Sequence, residues 1–341
     1  MDNFQKYLEN SLALNQDLFA QNSATWTPID TLYIGGGTPS LWGEKGIAYL
    51  VNLLDRHGIN FSDEYEFTIE LNPGSWNKVD LKGIKDLGVN RVSVGVQSLS
   101  AKTLKALDRI HNVDDVYKTL DCLADLDFNF SVDFMLGLPR EKSCERDISN
   151  EVNEILSFNP SHMSAYILTV NKNYIHYNSL PDENYISDEY LTLSSLMTGH
   201  GFDHYEVSNF AKPNSQSKHN LKYWRGESVA ALGPSATGFL KCTKDSGIRY
   251  KWKTLEAPDF SIEDVSINEY KLERFFLNLR ISEGINLIDY VSEKKIDEVK
   301  SFVDVLNVQG HLSSSSLEKF SLSPSGFLCA DSITTRLMSY I

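Results

Sequence analysis

Polar residues stand at the ends of four apolar runs in the first part of the chain. They are Gly35 to Thr38 after LYI, Glu70 and Asn72 after FTI, Gln97 after VSVGV, and Asp133 inside SVDFML. Three successive glycines at the end of a strand cost backbone entropy, so something is expected to approach the backbone closely at Gly35, Gly36 and Gly37. An aspartate within an apolar strand is expensive unless paired, which marks Asp133 for function. Taken singly, each of the others could merely start a loop or cap a helix; as a set they point to a ligand-binding face. Arg109, in LDRIH, reads on its own as a helix-surface charge. A separate cluster, HNLKYW, brings His219, Tyr223 and Trp224 together near a Gly-Pro turn. An imidazole among aromatics is either a metal ligand or a hydrogen-bonded core histidine, and the residues alone leave both open.

The elements that must position these groups alternate. Strand patterns at 30–34, 64–71, 90–96, 130–136 and 162–168 are separated by helical patterns at 46–58, around 79–88, within 101–126 and at 144–157. Strict alternation predicts βα units and a parallel sheet, and in such folds the C-terminal strand ends form the ligand face. A helical pattern with apolar Phe4, Leu8, Leu12, Leu14 and Leu18 precedes the first strand. An exposed loop is expected from about 170, then a helix at 189–199 and a strand over YEVSNF, 205–210. Residues 267–341 pattern as helices around a hydrophilic hairpin-like turn, resembling a winged helix; without a basic face this is expected to be a structural cap rather than a DNA reader.

The 341 residues are 41% hydrophobic and 11% aromatic, ample for a large core. A formal net charge of −14 argues against nucleic acid as the main partner, because phosphate neutralisation needs clustered Lys and Arg. No run is long and apolar enough to form an integral membrane segment, and MDNFQKYLEN lacks a signal-peptide core, so a cytoplasmic location is expected. Cys122, Cys144, Cys242 and Cys329 are too dispersed for a local metal cluster and read as core or surface thiols.

LYIGGGTPSLW, IELNPGS, GVNRVSVGVQSLS, LKALDRIH, VDFMLGLP, HYEVSNFAKP and HNLKYW occur here in the order of the radical S-adenosylmethionine (SAM) coproporphyrinogen dehydrogenase family. Within that family the chain resembles the HemW-type haem chaperones, from about residue 4 to the C-terminus. The resemblance implies an α/β fold: a partial TIM-like (βα)6 barrel, missing its first strand, with a small, mainly helical, winged-helix-like C-terminal domain. The implied division is 1–210 for the barrel, 211–266 for a connecting region and 267–341 for the last domain. It also implies SAM across the strand ends, with Gly36, Gly37 and Thr38 at its methionine end and Glu70, Gln97, Arg109 and Asp133 as polar contacts. Carboxylates suit an ammonium and ribose hydroxyls, and a guanidinium fork suits a carboxylate. HNLKYW matches the HemW-type haem motif, which makes His219 the implied haem ligand, supported by Tyr223 and Trp224. The implied function is to bind haem and deliver it to haem-accepting proteins. The alternatives are an oxygen-independent coproporphyrinogen III oxidase and a degenerate scaffold that binds neither ligand.

The family's chemistry rests on Cys-x-x-x-Cys-x-x-Cys, which holds a [4Fe–4S] cluster. That segment does not occur in this sequence, which begins inside the helix expected to follow the cluster loop. The expectation is an incomplete N-terminus, since a barrel without its first strand exposes a sheet edge; the competing reading is a cluster-free homologue. As written, the chain is not expected to assemble the cluster or generate a radical.

Overall fold

A computed structural model describes residues 2–24, 28–140, 146–253 and 259–341. The chain opens with α1 (Asp2–Gln21) and then alternates through β1 (Ile29–Ile34), α2 (Gly43–Arg56), β2 (Phe61–Leu71), α3 (Lys78–Asp86) and β3 (Arg91–Gln97). There follow α4 (Ala101–Ala106), α5 (Val113–Asp125), β4 (Asn129–Leu136), α6 (Ile148–Leu156), β5 (His162–Ile167) and α7 (Glu183–Gly199). A hairpin of β6 (Asp203–Glu206) and β7 (Asn209–Ala211) completes a seven-stranded sheet of order β1-β2-β3-β4-β5-β7-β6. The pairs from β2 to β5 are parallel, as the βα alternation predicts, and β7 runs antiparallel to both its neighbours.

The strands explain this arrangement. Every residue of β3 is buried, and Phe130, Val132, Phe134 and Leu136 of β4 are covered as well, as a parallel sheet packed on both faces requires. Period-two alternation then sorts the side chains. Register pairs Glu70 with Ser93, Gly95 with Asp133 and Asp133 with Ser164, so one face of the sheet is polar. The other carries Ile69, Val92, Val94, Val132 and Met163. Helices restart promptly after the strand ends because Asn77, Ser100, Asn112 and Asp147 accept the first free amides of α3, α4, α5 and α6.

Two local expectations change. YEVSNF is not one strand: Val207 and Ser208 turn the chain between β6 and β7, with Glu206 opposite Asn209. The turn backbone is satisfied by side chains, since Tyr190 donates to the Val207 carbonyl at 2.7 Å and the Ser208 amide donates to Glu206 at 3.2 Å. The helix expected at 189–199 starts at Glu183, where Asp182 caps it. The start of the helix expected at 144–157 lies partly outside the described residues, as does Cys144.

Contact density divides the chain into one unit of residues 32–48 and 66–216 and another of 1–31, 49–65 and 217–341. The second unit contains α8 (Lys218–Trp224) and a three-stranded antiparallel sheet of β8 (Thr237–Lys241), β9 (Gly247–Trp252) and β10 (Phe260–Val265). Its C-terminal part comprises α9 (Ile267–Asn278), α10 (Ile296–Val308), the hairpin β11 (Leu312–Ser316) and β12 (Lys319–Leu322), α11 (Pro324–Leu328) and α12 (Ala330–Met338). Helix α1 is part of the same unit: Tyr7 and Leu18 join Ala231, Tyr250 and Trp252 in one buried cluster. Asn15 specifies that packing, donating to the Ala231 carbonyl at 2.9 Å and accepting from the Tyr250 hydroxyl at 2.6 Å. Among the described residues no helix is long and apolar enough to cross a membrane.

Candidate functional site

Glu70, at the end of β2, organises the loop that follows β1. One carboxylate oxygen accepts from the Tyr33 hydroxyl and the other from the Gly36 amide, each at 2.9 Å. The three glycines have separate reasons. A Cβ on Gly35 would stand 2.7 Å from both a Glu70 oxygen and the Tyr33 ring, so a side chain there would have to displace them. Gly36 and Gly37 have open space around them and need glycine for φ of +84° and +66°. Packing within the protein therefore accounts for Gly35, and backbone conformation for Gly36 and Gly37. Thr38 precedes a short 3-10 turn, Pro39–Trp42, without capping it through its side chain.

Asp133 sits on the same polar face, two strands away. Ser93 donates to its carboxylate at 3.0 Å, and Ser164 also hydrogen-bonds to it. Burial, and then the charge of Glu70, push its pKa up to about 6 against those hydrogen bonds and the pull of Arg91. Tyr166, at the end of β5, hydrogen-bonds to Ser164; desolvation and the Asp133 charge push its phenol up to about 12. The Tyr33 phenol is raised further, by burial first and then by Glu70 and Asp133. Both phenols therefore keep their protons at neutral pH and can donate.

Gln97 ends β3 at a bulge, where the register with β4 slips between Gly95 and Gln97. It is 6% exposed and has φ of +66°, an uncommon backbone for a residue with a Cβ. A Cβ on Gly95 would crowd the Gln97 and Asn72 amides at 3.1 and 3.2 Å, so Gly95 makes room for both side chains. Arg109 is half-buried; desolvation lowers its pKa while Asp133 acts against that shift, so the two sense each other's charge. With Lys105, Asp108, His111 and Asn112 it also lines a cavity of about 400 Å³ at the turn between α4 and α5. Gly36, Gly37, Thr38, Glu70, Gln97, Arg109 and Asp133 all fall in one unit: the first five at or just beyond the ends of β1, β2 and β3, Asp133 within β4, and Arg109 in the turn between α4 and α5. Tyr33, Ser93, Ser164 and Tyr166 escaped sequence reasoning because they look like ordinary strand residues; only the register of β2 to β5 sets the serines on the face of Glu70 and Asp133.

His219, Tyr223 and Trp224 lie on α8 in the other unit. His219 Nδ1 is 3.0 Å from the Thr31 hydroxyl, and the Tyr223 ring meets the imidazole edge-on at 5.3 Å. Tyr223 keeps 46% of its surface exposed. Four residues along a helix share a face, but Trp224, five along, is rotated about 140° from His219. Trp224 instead ends α8, and its carbonyl accepts from Asn278 at 2.7 Å. Lys222 pins the same helix through ion pairs to Asp30 at 2.8 Å and Glu227 at 3.1 Å.

The acceptor-rich face around Glu70 and Asp133, with Arg109 opposing it, fits the ammonium, hydroxyl and carboxylate groups of SAM. Among the described residues, the thiols are not placed to hold a [4Fe–4S] cluster. Cys122 is buried in α5, Cys242 is exposed after β8 and Cys329 lies between α11 and α12. Among the described residues there is no group of three His, Cys, Asp or Glu side chains able to hold a metal ion.

Residues 17–151 match the Radical SAM superfamily. The chain is 32% identical over 289 residues to the heme chaperone HemW of Bacillus subtilis, covering 80% of this chain and 76% of that protein. It is 30% identical over 325 residues to the heme chaperone HemW of Escherichia coli, covering 91% and 83%. In fold it is similar to Escherichia coli coproporphyrinogen III oxidase, HemN, described as a radical SAM enzyme: the TM-score is 0.77 at 17% identity, over 100% of this chain and 83% of that one. That likeness accounts for the parallel-rich sheet, and the sequence relationships decide the branch: the chain belongs to the HemW family of radical SAM proteins.

Proposed function

We propose that this chain is a haem chaperone that binds haem through His219, takes SAM at the strand ends and delivers haem to acceptor proteins in the cytoplasm. The observation that carries the haem reading is the anchoring of His219 Nδ1 on Thr31. Where Nδ1 donates to that hydroxyl, the tautomer leaves the Nε2 lone pair for a metal, as in metal-binding histidines whose other nitrogen is held by a hydrogen bond. Haem iron takes a neutral imidazole, and the exposed Tyr223 ring beside it offers an aromatic surface to the porphyrin. Relatives named heme chaperone HemW, aligned over most of both chains, support the same reading.

In the SAM reading, Glu70 and Asp133 accept from the ammonium and ribose hydroxyls, Gln97 supplies an amide, and Arg109 pairs with the carboxylate. Bound SAM supplies a methionine sulfonium and an adenosyl group. The residues present serve to bind and orient it. Haem titration followed in the Soret region tests the function. We expect saturable binding by the wild-type chain and about tenfold weaker binding by His219→Ala. Equal affinity and an unchanged spectrum in the variant would remove His219 from the site.

A further inference from the structure

Gln97 holds a left-handed backbone that a side chain disfavours, so something must over-determine it. The two residues that follow it are tied to one carboxylate. The Ser98 hydroxyl donates to Glu151 Oε2 at 2.8 Å, and the Leu99 amide donates to the same oxygen at 2.7 Å. Ser98 Oγ in turn accepts from the Ser100 amide at 3.1 Å, and Ser100 caps α4, which leads to Arg109.

Glu151 is itself fixed. Arg146 reaches it with two nitrogens, Nε to Oε1 at 2.6 Å and Nη2 to Oε2 at 3.1 Å, and both side chains are almost fully buried. The remaining Arg146 donor, Nη1, bonds the Met135 carbonyl at 2.6 Å, two residues beyond Asp133, and the guanidinium lies over the Phe134 ring at 4.5 Å. One ion pair therefore joins the end of β3, which carries Gln97, to the end of β4, which carries Asp133. Burial works against the Glu151 charge, but Arg146, the Leu99 amide and Ser98 outweigh it and hold the carboxyl below its usual range. The same device recurs one loop on, where Glu189 of α7 accepts from the Gly137 amide at 2.8 Å.

We propose that Glu151, paired with Arg146, is a positioning residue that holds Gln97 in its ligand-binding conformation and in register with Asp133. This rests on the SAM reading of the strand ends. Neither residue touches the ligand in this scheme; both act through the backbone of 97–99.

Amide exchange and SAM equilibrium dialysis on the whole chain test this, using wild type, Glu151→Gln, Gln97→Ala, the Glu151→Gln/Gln97→Ala double variant and Asp133→Asn. The glutamine keeps an oxygen for the Leu99 amide but breaks the charge pairing with Arg146. The Leu99 amide should exchange about tenfold faster in Glu151→Gln while Val92 to Val96 keep their protection. SAM affinity should fall about tenfold in each single variant and no further in the double variant, because both act through one side chain. Unchanged exchange at Leu99, or a double variant that loses the product of the two single effects, overturns the proposal. If Gln97→Ala and Asp133→Asn both bind SAM like wild type, the SAM reading fails, and the exchange result alone decides whether Glu151 holds the turn. Should Glu151→Gln not fold, Glu151→Asp, shorter by one methylene, is read out in the same way.

Discussion

In the strand-end pocket, Glu70, Gln97 and Asp133 come from three different strands, and each is held by groups from elsewhere in its unit. Glu70 is bound by Tyr33 and Gly36, Asp133 by Ser93 and Ser164, and the Gln97 turn by Glu151. In α8, His219 and Tyr223 come from one seven-residue helix and meet through helical periodicity, with Thr31 as the anchor from outside it. The pocket is a network in which moving one member disturbs the rest. The helix is a local display, in which substitutions should act nearly independently. A buried Asp133 that feels the charge of Glu70 makes the first arrangement costly, whereas the exposed Tyr223 ring and ion pairs to the exposed carboxylates of Asp30 and Glu227 leave the second adaptable.

The largest effect that would break this comparison is expected at Glu70. Glu70→Ala removes a carboxylate proposed to face the ligand and also frees the Gly36 amide and Tyr33 hydroxyl. Losing charge-assisted hydrogen bonds on this scale should weaken SAM binding by about 100-fold. Gly35→Ala should act through the same carboxylate, because its Cβ would displace Glu70, and should cost about tenfold. Calorimetric titration of SAM checks both, with haem affinity as the control. A Glu70→Ala protein that binds SAM normally would deny the pocket its network character.

A smaller effect is expected at the helix. Thr31→Val removes the hydrogen bond to His219 Nδ1 at nearly constant volume, and one such bond is worth about 1 kcal/mol. Haem binding should weaken by about fivefold, less than for His219→Ala, with SAM binding unchanged. If Thr31→Val matches His219→Ala in full, the anchor rather than the imidazole dominates, and the helix is a network after all.

How much of each region was legible follows from the same contrast. The alternation of strands and helices gave the sheet, and polar residues at strand ends marked Glu70, Gln97 and Asp133, because a parallel sheet exposes only those ends to a ligand. Their supports were not legible. Ser93 and Ser164 become meaningful only once register sets them beside Asp133, and Glu151 looks like any helix-face acid until its partners Ser98 and Leu99 fold against it. The cluster of α8 was legible as a motif, yet Thr31 lies 188 residues from His219 and no local pattern links them. β8 to β10 were missed altogether: β10 keeps four of its six residues exposed, so it shows no buried stripe to read.

The smallest effect concerns stability and separates what the pocket costs from what it does. Asp133 has a pKa of about 6 in the folded chain, chiefly through burial, against about 3.9 in an unfolded one. Between those values the native state holds a proton that the unfolded state has released, so this group's contribution makes stability fall as pH rises from about 4 to about 6. Above about pH 6 the carboxylate is ionised in both states and the whole penalty is present. An asparagine side chain at this position does not titrate and can still accept from Ser93, so Asp133→Asn should raise Tm by about 2 °C at pH 8 and by almost nothing at about pH 4.5. In the wild type, SAM affinity should fall as pH drops below about 6, because a protonated carboxyl no longer offers its charge to the ligand. Thermal melts and dialysis at the two pH values check both halves. A variant that is less stable than wild type at pH 8 would mean that Asp133 is there to hold the sheet; one that is more stable but binds SAM poorly would mean that the fold bears a buried charge for the sake of its ligand.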